Sequence, residues 1–466
     1  MSEAPRSEAV QSANLREALT YYDSWLAFNQ RFQRVPGVQV AVYAEDAIAF
    51  SAAYGLADAE NDVPLTEQHL FRIASHSKTF TATAVFQLVE QGRLRLDDKA
   101  SQHVTELVGA PLGERTVREL LAHAGGITRD SAVADWWQLE LSFPDRDELL
   151  AVLREESSEV LPENERFKYS NIGYGLLGLV IEAAAGTSYN SYVQTAIVDK
   201  LGLSALGPEL DPTRLTEYAA GYSSLAYAAE RVPIDHVDTR ALAAATGFFG
   251  NARDLVTYFS AHLPGDDRLL TDNSKREMQH PLWQTGDDDW PRYGLGIQIA
   301  KIGDRRLFGH GGGYPGHSTR SMADGSARIA VSVLTNAIDG PAQQLAEALF
   351  KLLDLAGSKE RPEGAGELSR FTGRYANVWG VSDIVLLGGR LYALDPGQGD
   401  PADKPVALEA DGDTLLVTGD SGSGTYGQRY RFTFDADGKP ETVRGAHGLL
   451  VHPIDRFTLP PRLTVQ

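Results

Sequence analysis

The apolar pattern of this 466-residue chain changes character near Ala356, and no single architecture suits both sides of the change. Before it, helical stretches lie between two strand-rich ends. Val38, Val40 and Val42 alternate with Gln39 and Ala41, Glu45-Asp46 make a break, and residues 47–50 resume the apolar run, so a hairpin is expected. A helix is predicted from near Ser75 to Gly92, with Phe80, Ala84, Val85, Leu88 and Val89 on one stripe. Residues 173–185 are apolar enough for a buried helix. Residues 293–297, 306–308 and 329–334 read as successive antiparallel strands, and residues 342–355 as a helix. Strands from both ends around a helical middle predict an α+β unit. Residues 356–364 have linker composition. Seven short strands follow, near Tyr375, 384–387, 390–394, 406–408, 415–417, 430–434 and 449–451. Gly388-Gly389, Asp411-Gly412 and Asp437-Gly438 suit tight reversals between them, which points to a small all-β barrel or sandwich. The expected division is 1–355, a linker at 356–365, and 366–466. Near the start, Leu15, Leu19, Tyr22, Trp25, Leu26 and Phe32 fall on one helical face, and residues 420–424 read as a flexible loop.

Composition removes several function classes. The 43 Lys+Arg against 63 Asp+Glu leave a net charge of −20, which disfavours nucleic acid and anionic membrane surfaces as partners. The chain has no Cys, so neither a thiolate nucleophile nor a Cys-ligated metal is available. The His residues show no metal-ligand spacing. Residues 1–8 lack a secretory pattern and no apolar run is long enough to span a membrane, so a cytoplasmic location is expected, a previously removed signal aside. Gly311-Gly312-Gly313-Tyr314-Pro315-Gly316 matches a dinucleotide fingerprint by letters, but polar loop and then a strand are expected after it where a helix should open.

Ser75-His76-Ser77-Lys78 is the stronger candidate. Only ten lysines occur, and Lys78 alone follows a serine three places earlier. At the first turn of a helix, that spacing sets an amine beside a hydroxyl. A free lysine has a pKa near 10.4, so acting as a base near pH 7 requires favouring the neutral form by roughly 4 kcal/mol, which burial can supply. Tyr169-Ser170-Asn171 places a phenol and a carboxamide on one side of an extended backbone, suited to moving a proton and orienting a carbonyl. Tyr375-Ala376-Asn377 repeats the pattern in the tail, where Tyr375 is expected to pack a strand. His310-Gly311-Gly312-Gly313 follows the Leu307-Phe308 strand, and its glycines let a substrate approach a strand edge whose N–H groups can serve an oxyanion.

Ser75-x-x-Lys78, Tyr169-Ser-Asn171 and His310-Gly-Gly, in that order, resemble the serine β-lactamase and penicillin-binding-protein superfamily, specifically its class C-like branch with D,D-carboxypeptidases, D-aminopeptidases and esterases. Auxiliary stretches at 120–127, 247–255 and 293–296 fit too, so the resemblance covers about residues 35–355. The tail resembles the lipocalin-like barrel of some relatives. The resemblance implies a β-lactamase/transpeptidase-like antiparallel sheet with a helical lobe. It makes Ser75 the acylated nucleophile, Lys78 its proton acceptor, Tyr169 a second acid/base, and Asn171 a substrate contact. The N–H groups of Ser75 and Gly313 would form the oxyanion hole, with His310, Gly311 and Gly312 lining it. His310 stands where β-lactamases usually carry Lys, and a mostly neutral imidazole there favours peptide, amide or ester substrates over β-lactams. The expected activity is therefore amide hydrolysis of D-amino-acid-containing substrates without metal or organic cofactor. Ester hydrolysis, weak β-lactamase activity and a non-catalytic scaffold are the alternatives. The expected partner is a small molecule or short peptide, with homo-oligomerisation left open. His123 is expected to be a structural hydrogen-bonder. His76 and His317 are candidates for the cleft lining or the surface, and Trp136 and Trp137 for core packing or a cleft wall.

Overall fold

The computed structural model describes residues 3–288, 290–357, 361–419, 424–459 and 461–462, with side chains from residue 11 onward. Two compact units emerge, residues 35–346 and residues 1–34 with 347–466. The amino-terminal helix Glu3–Phe32 thus belongs with the tail, contrary to the expected division at 355. Its physical ties explain this. Glu17 pairs with Arg361 and accepts the Gly389 N–H at 3.0 Å, and Asn29 Nδ2 donates to the Pro396 carbonyl at 3.2 Å. Leu15, Leu19, Tyr22, Trp25 and Leu26 are buried as the helical stripe predicted, whereas Phe32 at its end is exposed.

The larger unit is built on a nine-stranded antiparallel sheet. Its order is Val63–Pro64, Ala47–Asp58, Gly37–Ala44, Ile329–Thr335, His317–Asp324, Arg305–Tyr314, Gln298–Ile302, Arg292–Tyr293 and Trp283–Gln284. Val38 pairs with Thr335 and Val40 with Val333, so strands from the two ends of the unit meet at the centre. The strand His317–Asp324 stands where polar loop was expected. Its sequence HSTRSMAD lacks apolar alternation, yet nearly every residue is buried because both faces of the sheet are covered there. The Gly311–Gly316 stretch therefore runs from strand through a turn into an antiparallel strand, and the nucleotide interpretation has no helix to rest on.

Beside the sheet, the helix Ser77–Glu90 is buried from Ser77 to Leu88. Such burial is tolerable only if its polar groups are paired. Thr81 Oγ1 donates to the Ala244 carbonyl at 2.6 Å, and Thr83 Oγ1 lies 2.9 Å from the Tyr258 hydroxyl. Against it packs Asn171–Ala185, whose Leu176, Leu177, Val180 and Ile181 are buried. Trp136 also joins this core.

In the smaller unit, eight strands from Gly373 to Pro453 close a barrel, Tyr375 pairing with Pro453. Seven were expected. The eighth, Pro440–Arg444, reads PETVR and buries only Val443, so it carries no period-two signal. Tyr375 is an interior aromatic with Ile384, Leu391, Leu415 and Phe432. Gly388, Gly389, Gly412 and Gly438 take positive φ in the expected reversals. Of the expected loop at 420–424, residues 420–423 lie outside the described residues. Among the described residues, no helix is long and apolar enough to cross a membrane.

Candidate active site

A tight turn, Ala74–His76, carries Ser75 and leads directly into the Ser77–Glu90 helix. Ala74 holds φ +45°, uncommon for a residue with a Cβ. Lys78, one turn on, is fully buried. Its Nζ lies 2.8 Å from Asn171 Oδ1, 2.8 Å from the Ala245 carbonyl and 3.2 Å from Ser75 Oγ. Burial pushes the Lys78 ammonium well below its ordinary pKa, with Asp130 opposing the shift and Arg129 adding to it. An amine held neutral has two N–H bonds for the two carbonyl oxygens and one lone pair left for the serine.

Tyr169 and Asn171 reach the same point from the other side. Ser170 is extended, at φ −143° and ψ 120°, so its neighbours project together. Its Oγ accepts the Gly173 N–H at 2.8 Å and caps the Asn171–Ala185 helix. Tyr169 donates its hydroxyl to Ser75 Oγ at 2.9 Å. Burial raises the Tyr169 pKa beyond the usual phenol range, with the Ser75 hydrogen bond opposing, so the phenol keeps its proton. Asn171 is itself buried, with Nδ2 donating to Asp130 Oδ1 at 2.7 Å. Asn171 Oδ1 thus serves the lysine and one Nδ2 N–H serves Asp130, which leaves the second Nδ2 N–H as the group for the expected substrate contact.

His310 is buried and does not present a cation. Nδ1 lies 2.6 Å from the Gly311 carbonyl and Nε2 lies 3.1 Å from the Tyr293 hydroxyl, so a neutral ring donates to the first and accepts from the second. Burial, with Lys78 nearby, holds its pKa well below the usual histidine value. The strand beneath it is paired by Gln298–Ile302 only as far as Gly309, so among the described residues the outer edge of 310–313 has no strand partner. Gly312 faces the Ser75 turn, where a Cβ would lie 2.2 Å from the Ile73 carbonyl oxygen, whereas a Cβ on Gly313 meets nothing within 4 Å. Gly312→Ala should therefore push the strand off the turn and lower both melting temperature and activity, and Gly313→Ala should leave the melting temperature unchanged. Thermal melts of the two variants decide this, and equal melts would remove the close approach as the reason for a glycine.

The other histidines singled out from the sequence, His123, His76 and His317, are interior. His123 Nδ1 accepts the Ser170 N–H at 3.1 Å, fixing the Tyr169–Asn171 backbone as a structural hydrogen-bonder would. His76 is buried with Nε2 2.9 Å from Ser321 Oγ, and His317 is buried against Phe71 and His236, so neither takes a surface place. Trp137 directs Nε1 to Asp130 Oδ1 at 2.8 Å. Asp130, Arg129 and the Ala245 carbonyl are site groups that motif spacing did not single out, and Tyr293 was noted only within the auxiliary stretch 293–296, without a role. A backbone carbonyl has no sequence signature, and Asp130 belongs to no spacing pattern with Lys78. Among the described residues, no group of three His, Cys, Asp or Glu side chains could hold a metal.

Sheet, helical lobe and Ser-x-x-Lys, Tyr-x-Asn and His-Gly-Gly elements together define a β-lactamase-type serine hydrolase fold. Residues 26–354 match the Beta-lactamase family, and the chain belongs to it. Penicillin-binding protein 4* of Bacillus subtilis (strain 168) is 30% identical over 285 residues, 58% of this chain and 62% of the relative, so the chain spans about three fifths of that protein. The octameric penicillin-binding protein homologue from Pyrococcus abyssi shares the fold at TM-score 0.65 and 22% identity, covering 93% of this chain and 99% of the other. A D-stereospecific amidohydrolase from Streptomyces sp. aligns at TM-score 0.59 and 25% identity, covering 68% and 94%.

Proposed function

We propose that this protein hydrolyses amide bonds of D-amino-acid-containing peptides or amides through an acyl-enzyme on Ser75. The observation that carries it is Ser75 Oγ lying between the buried Lys78 amine and the protonated Tyr169 hydroxyl. In this proposal Ser75 attacks the carbonyl carbon while its proton passes to Lys78 Nζ. The oxyanion that forms is held by the N–H groups of Ser75 and Gly313. Tyr169 gives its phenolic proton to the leaving nitrogen and regains one from Lys78, and water then hydrolyses the ester. The unpaired edge at 310–313 suits an extended substrate, which can add as a short strand. The likeness to a D-stereospecific amidohydrolase supports the substrate class, and the neutral His310 disfavours substrates that need a fixed cation for their carboxylate.

Incubation with a fluorophosphonate should add one adduct mass, located on Ser75 by peptide mapping and absent from Ser75→Ala. Among D-alanine nitroanilide, a nitrophenyl ester and a chromogenic cephalosporin, the anilide should turn over with the highest kcat/KM. Efficient cephalosporin turnover would overturn the substrate assignment, and failure of every probe to modify Ser75 would overturn the hydrolase assignment.

A further inference from the structure

We propose that Asp130 is a positioning residue that dictates the orientation of the Asn171 amide and, through it, the direction in which the Lys78 amine faces Ser75. This rests on Ser75 being the nucleophile and Lys78 its base. An asparagine amide can present either oxygen or nitrogen to a given neighbour, and only its partners decide which. A carboxylate can only accept. Asp130 Oδ1 stands 2.7 Å from Asn171 Nδ2 and also receives Trp137 Nε1 at 2.8 Å. Asn171 must therefore turn Nδ2 to Asp130 and Oδ1 to Lys78 Nζ, at 2.8 Å. With the Ala245 carbonyl taking a second N–H, the remaining direction on Nζ points to Ser75 Oγ. A reversed amide would aim its own N–H at the lysine and draw the lone pair away from the serine.

Asp130 is held for this task. Asn171 N–H donates to the Arg129 carbonyl at 2.7 Å, tying the 129–130 backbone to the start of the Asn171–Ala185 helix. Arg129 Nε lies 3.3 Å from the other carboxylate oxygen, and its guanidinium extends into solvent. The groups facing Lys78 are Asp130, Arg129, Tyr169, Tyr174, His123 and His310. Asp130 is the only carboxylate among them. Its charge raises the Lys78 pKa, so removing the charge alone moves deprotonation of Lys78 to lower pH.

The test uses the full chain as wild type, Asp130→Ala and Asp130→Asn. It reads the rate of Ser75 modification by a fluorophosphonate, and kcat and KM for the best nitroanilide or ester, across pH. Asp130→Ala frees the Asn171 amide and should lower kcat and the modification rate by about 100-fold, the scale of an ångström-level misplacement, with KM little changed. Asp130→Asn keeps an oxygen that can accept both N–H groups. It should restore at least a tenth of the wild-type rate, and its acid limb should lie at lower pH than that of the wild type. A labelled wild type with an Asp130→Ala variant reacting equally fast overturns the positioning role alone. Equal losses in both variants with an unmoved acid limb also overturn it, since a merely structural carboxylate would behave so. A wild type that never labels at Ser75 overturns the nucleophile assignment and the positioning role with it.

Discussion

Replacing Lys78 by methionine should lower kcat/KM by on the order of 10⁴-fold and abolish fluorophosphonate labelling of Ser75, while the protein stays folded. Methionine has nearly the volume and flexibility of lysine, and the site it enters is fully buried and flanked by Tyr169 and Tyr174 rings. The cost is confined to two carbonyl oxygens, those of Asn171 and Ala245, that lose a donor. The proposed chemistry loses its base, and no neighbour can replace it. Tyr169 touches Ser75, but its raised pKa keeps it a donor, and His310 spends both ring nitrogens on Gly311 and Tyr293. In the proposed mechanism the neutral amine is the active form, so kcat/KM should fall as pH drops through the Lys78 pKa. Burial lowers that pKa, so the acid limb should lie well below the range of a free lysine near 10.4. Retention of labelling within about tenfold in Lys78→Met would exclude Lys78 as the base.

What could be read from residues alone tracks where periodicity and motif letters survive. The Ser75 turn and helix, the apolar helix at 171–185 and the 37–58 hairpin were legible because their patterns are local. The strands His317–Asp324 and Pro440–Arg444 were not, since burial there comes from distant elements and leaves no alternation. Ser75, Lys78 and Tyr169 were legible as members of two motifs, and the fold brings Ser75 Oγ within hydrogen-bond distance of the other two. Asn171 was found but its partner was not. Which group an amide serves depends on Asp130, which lies 41 residues earlier and meets it only in three dimensions. Likewise the joining of the Glu3–Phe32 helix to the barrel unit rests on Glu17 meeting Arg361 and Gly389, pairs that no spacing could announce.

The unit of residues 35–346 should unfold on mild acidification, between about pH 6.5 and pH 5. Six of the eleven histidines, His76, His123, His236, His262, His310 and His317, are held neutral in it by burial. His76 is pushed down to about 3, and His236 and His262 to about 4. Unfolded, each returns to about 6.5 and takes up a proton below that pH, whereas the folded chain does not. Stability is thus undiminished above pH 6.5 and is lost as pH falls below it. One unit below 6.5, each such histidine costs about 1.4 kcal/mol, so six cost about 8 kcal/mol, against a usual total stability of about 5–15 kcal/mol. The buried carboxylates Glu209 and Asp254, whose pKa values burial raises, act in the opposite sense, since each relieves a buried charge as pH falls from its raised folded pKa to the ordinary carboxylate range, but they are two against six histidines. Urea midpoints should hold steady from pH 8 to 7 and collapse between pH 6.5 and 5.5, with several protons taken up on unfolding. His262 hydrogen-bonds Thr83 and the Tyr258 carbonyl and touches none of Ser75, Lys78 and Tyr169 through its ring nitrogens, so His262→Gln should move the acid transition to lower pH. A midpoint unchanged down to pH 5 would mean that these rings are already charged or wet in the folded state, and would remove the basis for a neutral His310 as well.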